Sequence, residues 1–264
     1  MANAATSIGS LVRSWRAQRH LSQLDLATEA EISQKHLSFI ESGRSAPSRD
    51  MVVTLAEHLD IPLRERNTLL LAAGFAPIYR DRPLDDPALL RARAAIDQVL
   101  KAHEPFPAMA VDRHWTLVSA NAAVAPLVAG ADPELTKPPV NLMRLSLHPR
   151  GLAPLIVNLG EWRAHLLERL RRQQRITRDA ATESLLKEVT AYPGGTGRRG
   201  GEPPSATDPD VIVVPLKLRT HGGVLSFFST VTVFGTAVDI TLSELSLEAF
   251  YPADEATATA LRRT

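Results

Sequence analysis

A short predicted helix after Ser33 carries hydrogen-bonding and basic side chains on its outward side. The side chains that would face outward near its start are those of Gln34, Lys35, Ser38 and Phe39. Leu37 and Ile40 fall at helical spacing and form its buried stripe. Amide, ammonium and hydroxyl groups exposed in this way can form hydrogen bonds with DNA. The stretch Leu21–Gly43, two short helices joined by a tight turn, is therefore the first candidate for a DNA contact.

Five predicted helices within residues 1–76 would hold that stretch in place. Ser7 is a suitable N-cap for the first helix, which has apolar residues at helical spacing. Ser22 can cap the second helix, and Asp25 places a carboxylate near its positive end. Ala27 supplies the small residue that two steeply crossing helices need at their closest approach. Two further helices, at 48–59 and 63–73, complete a compact all-α unit.

Residues 8–75 resemble the helix-turn-helix domain of the XRE family of phage repressor-like proteins. The resemblance is carried by Gln23, Ala27, Ile32, Leu37, Ile40 and the Glu41–Gly43 sequence. It implies that Gln23 bonds a phosphate at the start of the second helix, where backbone N–H groups favour anions. The implied DNA-binding residues on and beside the third helix are Ser33, Gln34, Lys35, Ser38, Phe39, Arg44 and Arg49. Arg44 and Arg49 suit phosphate contacts, whereas Gln34, Lys35 and Ser38 suit base edges in the major groove.

Glu31 departs from the pattern of that family, which often has glycine at this position of the turn. A residue other than glycine in a left-handed conformation costs about 1 kcal/mol. We therefore expect mild strain or a slightly different turn at Glu31. The alternative interpretation of the whole unit is a helical bundle whose polar face is only solvated.

Residues 77–103 are predicted to form a linker and a connecting helix, and residues 104–264 a second domain. Two short strand patterns, at 108–111 and 115–119, precede several helices. Three strand-like runs, at 211–220, 224–234 and 240–251, close the chain and predict an antiparallel meander. This order of elements is that of a PAS fold. We therefore predict an α+β protein of two domains, a five-helix bundle followed by a PAS-like antiparallel sheet with flanking helices.

The second domain resembles the MmyB-like ligand-binding domain, a PAS-like sensor that follows an XRE domain in bacterial regulators. The segments that carry the resemblance include Glu104–Pro107, Val111–Arg113 with Trp115, Asn141–Arg144, His148–Pro149, Asn158 with Trp162, and Phe234–Asp239 with Glu244. The resemblance implies that a small-molecule effector binds between the sheet and the short helices. We expect this effector to be largely apolar, with a carboxylate where it has a polar end, as in a fatty acid.

The candidate ligand-binding residues are polar or aromatic side chains embedded in apolar sequence: Asn121, Arg144, Asn158, Trp115, Trp162 and His148. The guanidinium of Arg144 could bind a ligand carboxylate through two hydrogen bonds. It could instead pair with Glu161 or Asp112, and Asn121 could cap a helix. The tryptophans could belong to the core, and His148 could be only a turn residue. The arginine-rich helix at 161–176 is either solvated or in contact with a dimer partner or DNA.

Composition narrows the functional classes. The chain has no cysteine, which excludes disulfides, thiolate metal sites and a cysteine nucleophile. The formal net charge is +1, so DNA binding would have to come from a local patch of basic residues. No phosphate-binding loop, nucleophile elbow or zinc-binding histidine pair occurs in the sequence. We therefore expect no catalytic residue, no metal site and no obligatory cofactor.

The sequence as a whole predicts a transcription regulator that binds double-stranded DNA as a homodimer on a two-fold site. We expect its DNA affinity to be modulated by the small effector. A near-neutral chain without an 18-residue apolar run predicts no membrane span and a cytoplasmic, nucleoid-associated protein. The competing hypothesis is a protein-interaction module that uses the five-helix unit to dock a protein partner.

Overall fold

The computed structural model describes residues 7–194, 214–235 and 237–262. Its helices are α1 (Ile8–Gln18), α2 (Gln23–Glu29), α3 (Gln34–Glu41), α4 (Arg49–His58), α5 (Leu63–Ala72), α6 (Leu90–Ala102), α7 (Ala125–Val128), α8 (Pro133–Thr136), α9 (Leu142–Leu147), α10 (Leu159–Thr177), α11 (Ala180–Ala191), α12 (Ile240–Ser243) and α13 (Glu255–Arg262). Its strands are β1 (Ala108–Val111), β2 (Leu117–Ala120), β3 (Leu216–Thr220), β4 (Gly223–Val233) and β5 (Ser246–Pro252). The chain divides into two compact units, Met1–Pro83 with Thr236–Ser243, and Leu84–Gly235 with Glu244–Thr264.

The first unit contains the five predicted helices, α1 to α5. Ser7, Ser22, Ser33 and Ser48 each accept a hydrogen bond from the backbone two or three residues into the following helix. Ser22 and Asp25 form the reciprocal pair of a capping box. The apolar stripes meet in one core, in which the side chains of Val12, Leu26, Leu37, Ile40 and Leu55 are fully buried. These features confirm the all-α prediction for the N-terminal part.

Gly9 lies at the closest approach of α1 to α3. A Cβ atom on Gly9 would lie 2.4 Å from the backbone oxygen of Ile40 and 2.7 Å from that of Glu41. Those distances are too short for a carbon contact, so only glycine allows the two helices to pack this closely. Ala27 is also buried, as predicted.

Three helices of the first unit end at a residue other than glycine in the left-handed conformation. Glu31 has a φ of 54°, and Ile32 beyond it donates its N–H to the carbonyl of Ala27 at 2.9 Å. His20 and Asp60 take the same conformation after α1 and α4, with φ values of 57° and 46°. Each therefore satisfies helix carbonyls at the expense of strain at its Cβ. Of the two alternatives expected at Glu31, the structure has the left-handed turn, and its cost in stability stays a prediction.

The first unit also includes the short segment between β4 and β5, which the sequence assigned to the C-terminal domain. The N–H of Ile240 donates to the carbonyl of Arg80 at 2.8 Å, and the Ile240 side chain is buried. Asp239 is buried and pairs with Arg82 at 3.5 Å. Thr241 donates its hydroxyl to the carbonyl of Arg82 at 2.5 Å. These contacts attach the segment to the chain that follows α5.

The second unit is built on a five-stranded antiparallel sheet in the order β2-β1-β5-β4-β3. Helices α7 to α10 supply apolar side chains to one face of this sheet. The core includes Trp162, Leu166 and Leu170 of α10, together with Phe227 of β4 and Phe250 of β5. The α+β class and the PAS-like arrangement of sheet and flanking helices are confirmed.

The last predicted strand, at 240–251, is wrong in its first half. Residues 240–243 form the helical turn α12, and β5 begins only at Ser246. Apolar residues recur along the whole run because Ile240 is buried in the first unit and Leu247 in the second, so hydropathy did not separate the two segments. The strand predicted at 211–220 begins at Leu216 within the described residues, and its first three residues lie outside them. Within the described ranges, no helix combines the length and apolar character needed to cross a membrane.

Candidate functional sites

Helix α3 presents the polar surface that the sequence predicted. The Ser33 hydroxyl caps it by accepting a hydrogen bond from the His36 N–H at 3.1 Å. Leu37 and Ile40 are fully buried, which fixes the rotation of the helix about its axis. Gln34 and Lys35 are exposed as a consequence, and Ser38 is half-buried beside them. The geometry therefore leaves an amide, an ammonium and a hydroxyl group on one side of α3.

The ring of Phe39 lies near two cations at the same surface. The Lys35 ammonium lies 5.6 Å from the centre of its ring, and the Arg44 guanidinium lies 5.8 Å from it. Both distances are within the range of cation–π attraction. Arg44 and Arg49 are exposed beyond the end of α3. Lys35, Phe39 and Arg44 thus lie close together in the first unit, and the DNA contact of the predicted residues stays a prediction.

Glu41 organises the first three helices from inside the unit, a role that the sequence interpretation missed. Its carboxylate is fully buried and accepts hydrogen bonds from Arg16 Nε at 2.7 Å and Arg16 Nη2 at 3.0 Å. Gln23 Nε2 donates to it at 2.8 Å, and Arg16 Nη1 donates to the Leu21 carbonyl at 2.7 Å. Burial alone would raise the pKa of Glu41, but the hydrogen bonds from Arg16 and Gln23 lower it below its ordinary value. The feature of the sequence that could have indicated this role is the position of the Glu41 carboxylate, directly after the buried Ile40.

Gln23 therefore has a structural partner in addition to its predicted phosphate contact. Its side-chain amide is half-buried at the start of α2 and holds Glu41. A glutamine fixed in this way keeps α2 and α3 in one orientation. Its contact with a phosphate stays a prediction.

The second unit contains an apolar cavity of about 170 Å³ between its sheet and helices α7 to α10. The cavity is lined by Pro107, Met109, Trp115, Leu117, Val124, Leu127, Val128, Thr136, Val140, Leu142, Met143, Leu145, Ser146, Leu152, Trp162, Leu166, Leu216, Leu218, Phe227, Glu248 and Phe250. Trp115 and Trp162, two of the predicted ligand-binding residues, are in this wall. A concave site of this kind, mostly apolar with a few polar groups, is typical of small-molecule binding.

Hydrogen bonds hold both tryptophan rings in the wall. Trp115 Nε1 donates to Gln173 Oε1 at 2.9 Å, and Trp162 Nε1 donates to Ser146 Oγ at 3.0 Å. The indole N–H groups are thus satisfied by the protein. The ring of His165 stacks on Trp162 at 5.4 Å, and burial, helped by the charge of Arg169, lowers the pKa of His165. The rings therefore offer the cavity mainly their apolar surface.

Arg144 and His148 do not line the cavity. Arg144 was expected to be buried, but its side chain is 46% exposed and it forms two hydrogen bonds of 2.8 Å with Glu188. Its partner is neither of the two acids considered from the sequence. His148 accepts a hydrogen bond from the Arg150 N–H at 3.0 Å and packs edge-on against Tyr192. The ion pair between Arg144 and Glu188 could not be predicted from the sequence, because the two residues are 44 positions apart.

Asn121 and Asn158 tie backbone segments together instead of facing the cavity. Asn121 is buried, accepts from the Ala108 N–H at 3.1 Å and donates to the carbonyls of Leu100 and Phe106. It caps no helix. Asn158 accepts from the Lys217 N–H at 3.1 Å and donates to the Pro215 carbonyl at 2.8 Å, which joins α10 to β3. Their amides are therefore used by the backbone.

Glu248 is an acidic group in the cavity wall that the sequence interpretation did not single out. Its side chain is 6% exposed and pairs with Arg169 Nη2 at 2.6 Å. The Arg169 guanidinium lies 4.6 Å from the centre of the Trp115 ring. Side chains alternate along β5, so Glu248 lies on the same face of the sheet as Phe250. This spacing could have identified Glu248 from the sequence. Within the described part of the chain, no cluster of three acidic or histidine side chains is placed to hold a metal ion.

Comparisons with known proteins address both units. No curated protein matches the chain. Among solved structures, it is similar to the clp gene regulator ClgR from Corynebacterium glutamicum, with 22% identity over 39% of this chain and 97% of that chain, at a TM-score of 0.24. It is also similar to an RNA-binding light-oxygen-voltage receptor, with 14% identity over 97% of this chain and 61% of that chain, at a TM-score of 0.25.

Family models match both parts of the sequence. A helix-turn-helix model matches residues 12–66, which include α2 and α3. The model of the MmyB-like transcription regulator ligand binding domain matches residues 92–263, which include every residue of the cavity wall. Because that match spans more than half of the 264 residues, the chain belongs to the family of proteins with an MmyB-like transcription regulator ligand binding domain, here joined to a helix-turn-helix domain.

Proposed function

We propose that this DNA-binding transcription regulator recognises a specific DNA site through α3 and changes its DNA affinity when a small, largely apolar molecule occupies the cavity. Both matched families are regulator domains, and we propose regulation as the function in preference to catalysis. A ligand can have this effect only if it binds two conformations of the protein unequally.

The DNA part of the proposal is supported by the exposed Gln34 and Lys35 side chains on a helix whose opposite side is fully buried. Selection from a random duplex library with the full-length protein would test it. A single enriched motif is expected, with affinity that falls steeply as salt rises because phosphate contacts release counterions. Binding that is independent of both salt and sequence would instead favour the protein-docking hypothesis.

The ligand part of the proposal rests on one observation, an apolar cavity inside the unit that matches a ligand-binding family. Solvent extraction of the purified protein followed by mass spectrometry should recover a bound apolar molecule. Adding it back to delipidated protein should change the dissociation constant for the selected DNA. An unchanged constant at saturating ligand would show that the cavity does not regulate DNA binding.

The sequence favoured a carboxylate ligand such as a fatty acid through Arg144. Arg144 binds Glu188 outside the cavity wall. We therefore still propose an apolar ligand, but no longer one whose carboxylate binds Arg144.

We further propose that the protein acts as a homodimer in the cytoplasm, associated with the nucleoid. One α3 presents only a short cluster of base-reading groups, and two copies on a two-fold site would double their number. Light scattering after gel filtration should give twice the mass of the 28.7 kDa chain. A selected DNA motif without two-fold symmetry would contradict the dimer.

A further inference from the structure

Glu248 is the ionisable side chain among the residues that line the cavity. It projects from β5 beside Phe250, and its cross-strand neighbour Met109 lines the same cavity. Among the described residues, Arg169 is the side chain that donates to its carboxylate, through Nη2 at 2.6 Å. A carboxylate has lone pairs for several donors, so this group can accept a further hydrogen bond from the cavity side.

The guanidinium of Arg169 is already in contact with Glu248 and Trp115. It donates to Glu248 and lies over the Trp115 ring, and it does not line the cavity itself. A ligand carboxylate would bring a second negative charge next to Glu248. It could reach Arg169 only by displacing Glu248, which would leave a buried carboxylate without its cation. The cavity therefore disfavours an anionic ligand.

A cationic ligand is disfavoured for a related reason. The Arg169–Glu248 pair is neutral as a whole, and the positive charge of Arg169 would lie close to the ligand's charge. A neutral donor such as a hydroxyl group meets neither problem. It gains a hydrogen bond to a charged acceptor, which is stronger than one between neutral groups.

We propose that Glu248 determines the specificity of the cavity and selects an apolar molecule that ends in an uncharged hydrogen-bond donor, as in a medium-chain alcohol, over one that ends in a carboxylate. This inference depends on the proposed function, because it assumes that an apolar ligand occupies the cavity.

Four probes with the same chain test the assignment: 1-decanol, decyl methyl ether, decanoate and decylamine. Binding to delipidated full-length protein can be followed by tryptophan fluorescence, since Trp115 and Trp162 line the cavity. Decanol should bind roughly tenfold or more tightly than the ether, which lacks the donor, and than decanoate. Equal or tighter binding of decanoate to the wild-type protein would overturn the proposal.

Glu248→Gln provides the second measurement, because it removes the charge with little change in volume and frees Arg169. In this variant, decanoate should bind roughly tenfold more tightly than it binds the wild-type protein, and the preference for decanol should shrink. Glu188→Gln is the matched control, since Glu188 also pairs with an arginine but lies outside the cavity wall. It should leave the order of the four affinities unchanged.

Near-ultraviolet circular dichroism would establish that Glu248→Gln is folded, and if it is not, the wild-type order of affinities decides the question. An unchanged order in the folded variant would overturn the role of Glu248 while leaving an apolar ligand in place. No binding of any of the four probes would overturn the ligand part of the proposed function as well. The two failures are thus distinguishable.

Discussion

The guanidinium of Arg16 binds both carboxylate oxygens of Glu41, and this pair joins α1 to the end of α3 inside the helix-turn-helix unit. The side chain of Glu41 is completely buried, and that of Arg16 is 14% exposed. The orientation of α3 is therefore secured by a charge pair as well as by its apolar stripe. Gln23 donates a hydrogen bond to the same carboxylate, which links α2 to this pair as well.

We predict that Glu41→Gln destabilises the first unit by about 3 kcal/mol or more, because it leaves Arg16 without its anionic partner. Urea unfolding followed by circular dichroism would measure the loss. Glu29→Gln is the control, since Glu29 lies exposed at the end of α2 and should change stability little. Equal effects of the two substitutions would contradict the role of the pair.

The same pair predicts acid sensitivity. Hydrogen bonds lower the pKa of Glu41 in the folded state below its ordinary value of 4.5. A carboxyl with a depressed folded pKa stabilises the protein above its unfolded pKa, and this contribution is lost as pH falls through the folded pKa. Unfolding free energies measured from pH 7 down to acid should therefore fall below about pH 4.5 more steeply in the wild-type protein than in Glu41→Gln.

Glu31→Gly should stabilise the first unit by about 1 kcal/mol, because glycine adopts the observed left-handed conformation without a Cβ clash. Glu31→Ala serves as the control, since it removes the carboxylate but keeps the Cβ. A shift in the urea midpoint is expected for glycine alone. If alanine gave the same gain, the charge of Glu31 and not its backbone would be responsible.

Gly9→Ala should cost roughly 1–3 kcal/mol, because the added methyl group would push α1 away from the backbone of α3. Gly160→Ala is the same substitution in another helix, α10, where a Cβ would meet no neighbouring atom. It should leave stability unchanged or raise it slightly, since alanine favours helix. Thermal unfolding of both variants would provide the comparison.

Lys35→Ala should weaken binding to the selected DNA by about 1–3 kcal/mol and alter the preferred sequence. Fluorescence anisotropy with the selected and a scrambled duplex would measure both effects. Lys187→Ala is the control, because that exposed lysine pairs with Glu183 in the second unit. Unaltered affinity for both duplexes would show that α3 is not the recognition helix.

Arg144→Leu should leave ligand loading unchanged and lower stability by less than about 1 kcal/mol, as expected for a partly exposed ion pair. The amount of extracted ligand per mole of protein tests this against Trp162→Ala, which alters the cavity wall. If Arg144→Leu emptied the protein of ligand, a carboxylate contact at Arg144 would regain support.

Local patterns were sufficient for much of the fold. The serine caps, the apolar stripes and the ends of α1 to α5 depend on residues three or four positions apart, so periodicity and capping chemistry identified them. For Glu31, family resemblance left open strain or a different turn, and the structure shows the left-handed conformation. Trp115 and Trp162, for which the sequence left core and cavity wall open, lie in both, and their contact with a ligand stays a prediction.

The sequence by itself determined an all-α unit followed by an α+β unit, because short-range patterns encode those elements. The helix-turn-helix and ligand-binding assignments came from the resemblance to known families. Only the tertiary structure decided which polar groups face the cavity and which are used elsewhere. Arg144 meets Glu188, Arg16 meets Glu41, and Arg169 meets Glu248 across separations of 25 to 79 residues. Partners at such distances leave no local signal, since any arginine can satisfy any carboxylate that the fold brings within hydrogen-bonding distance.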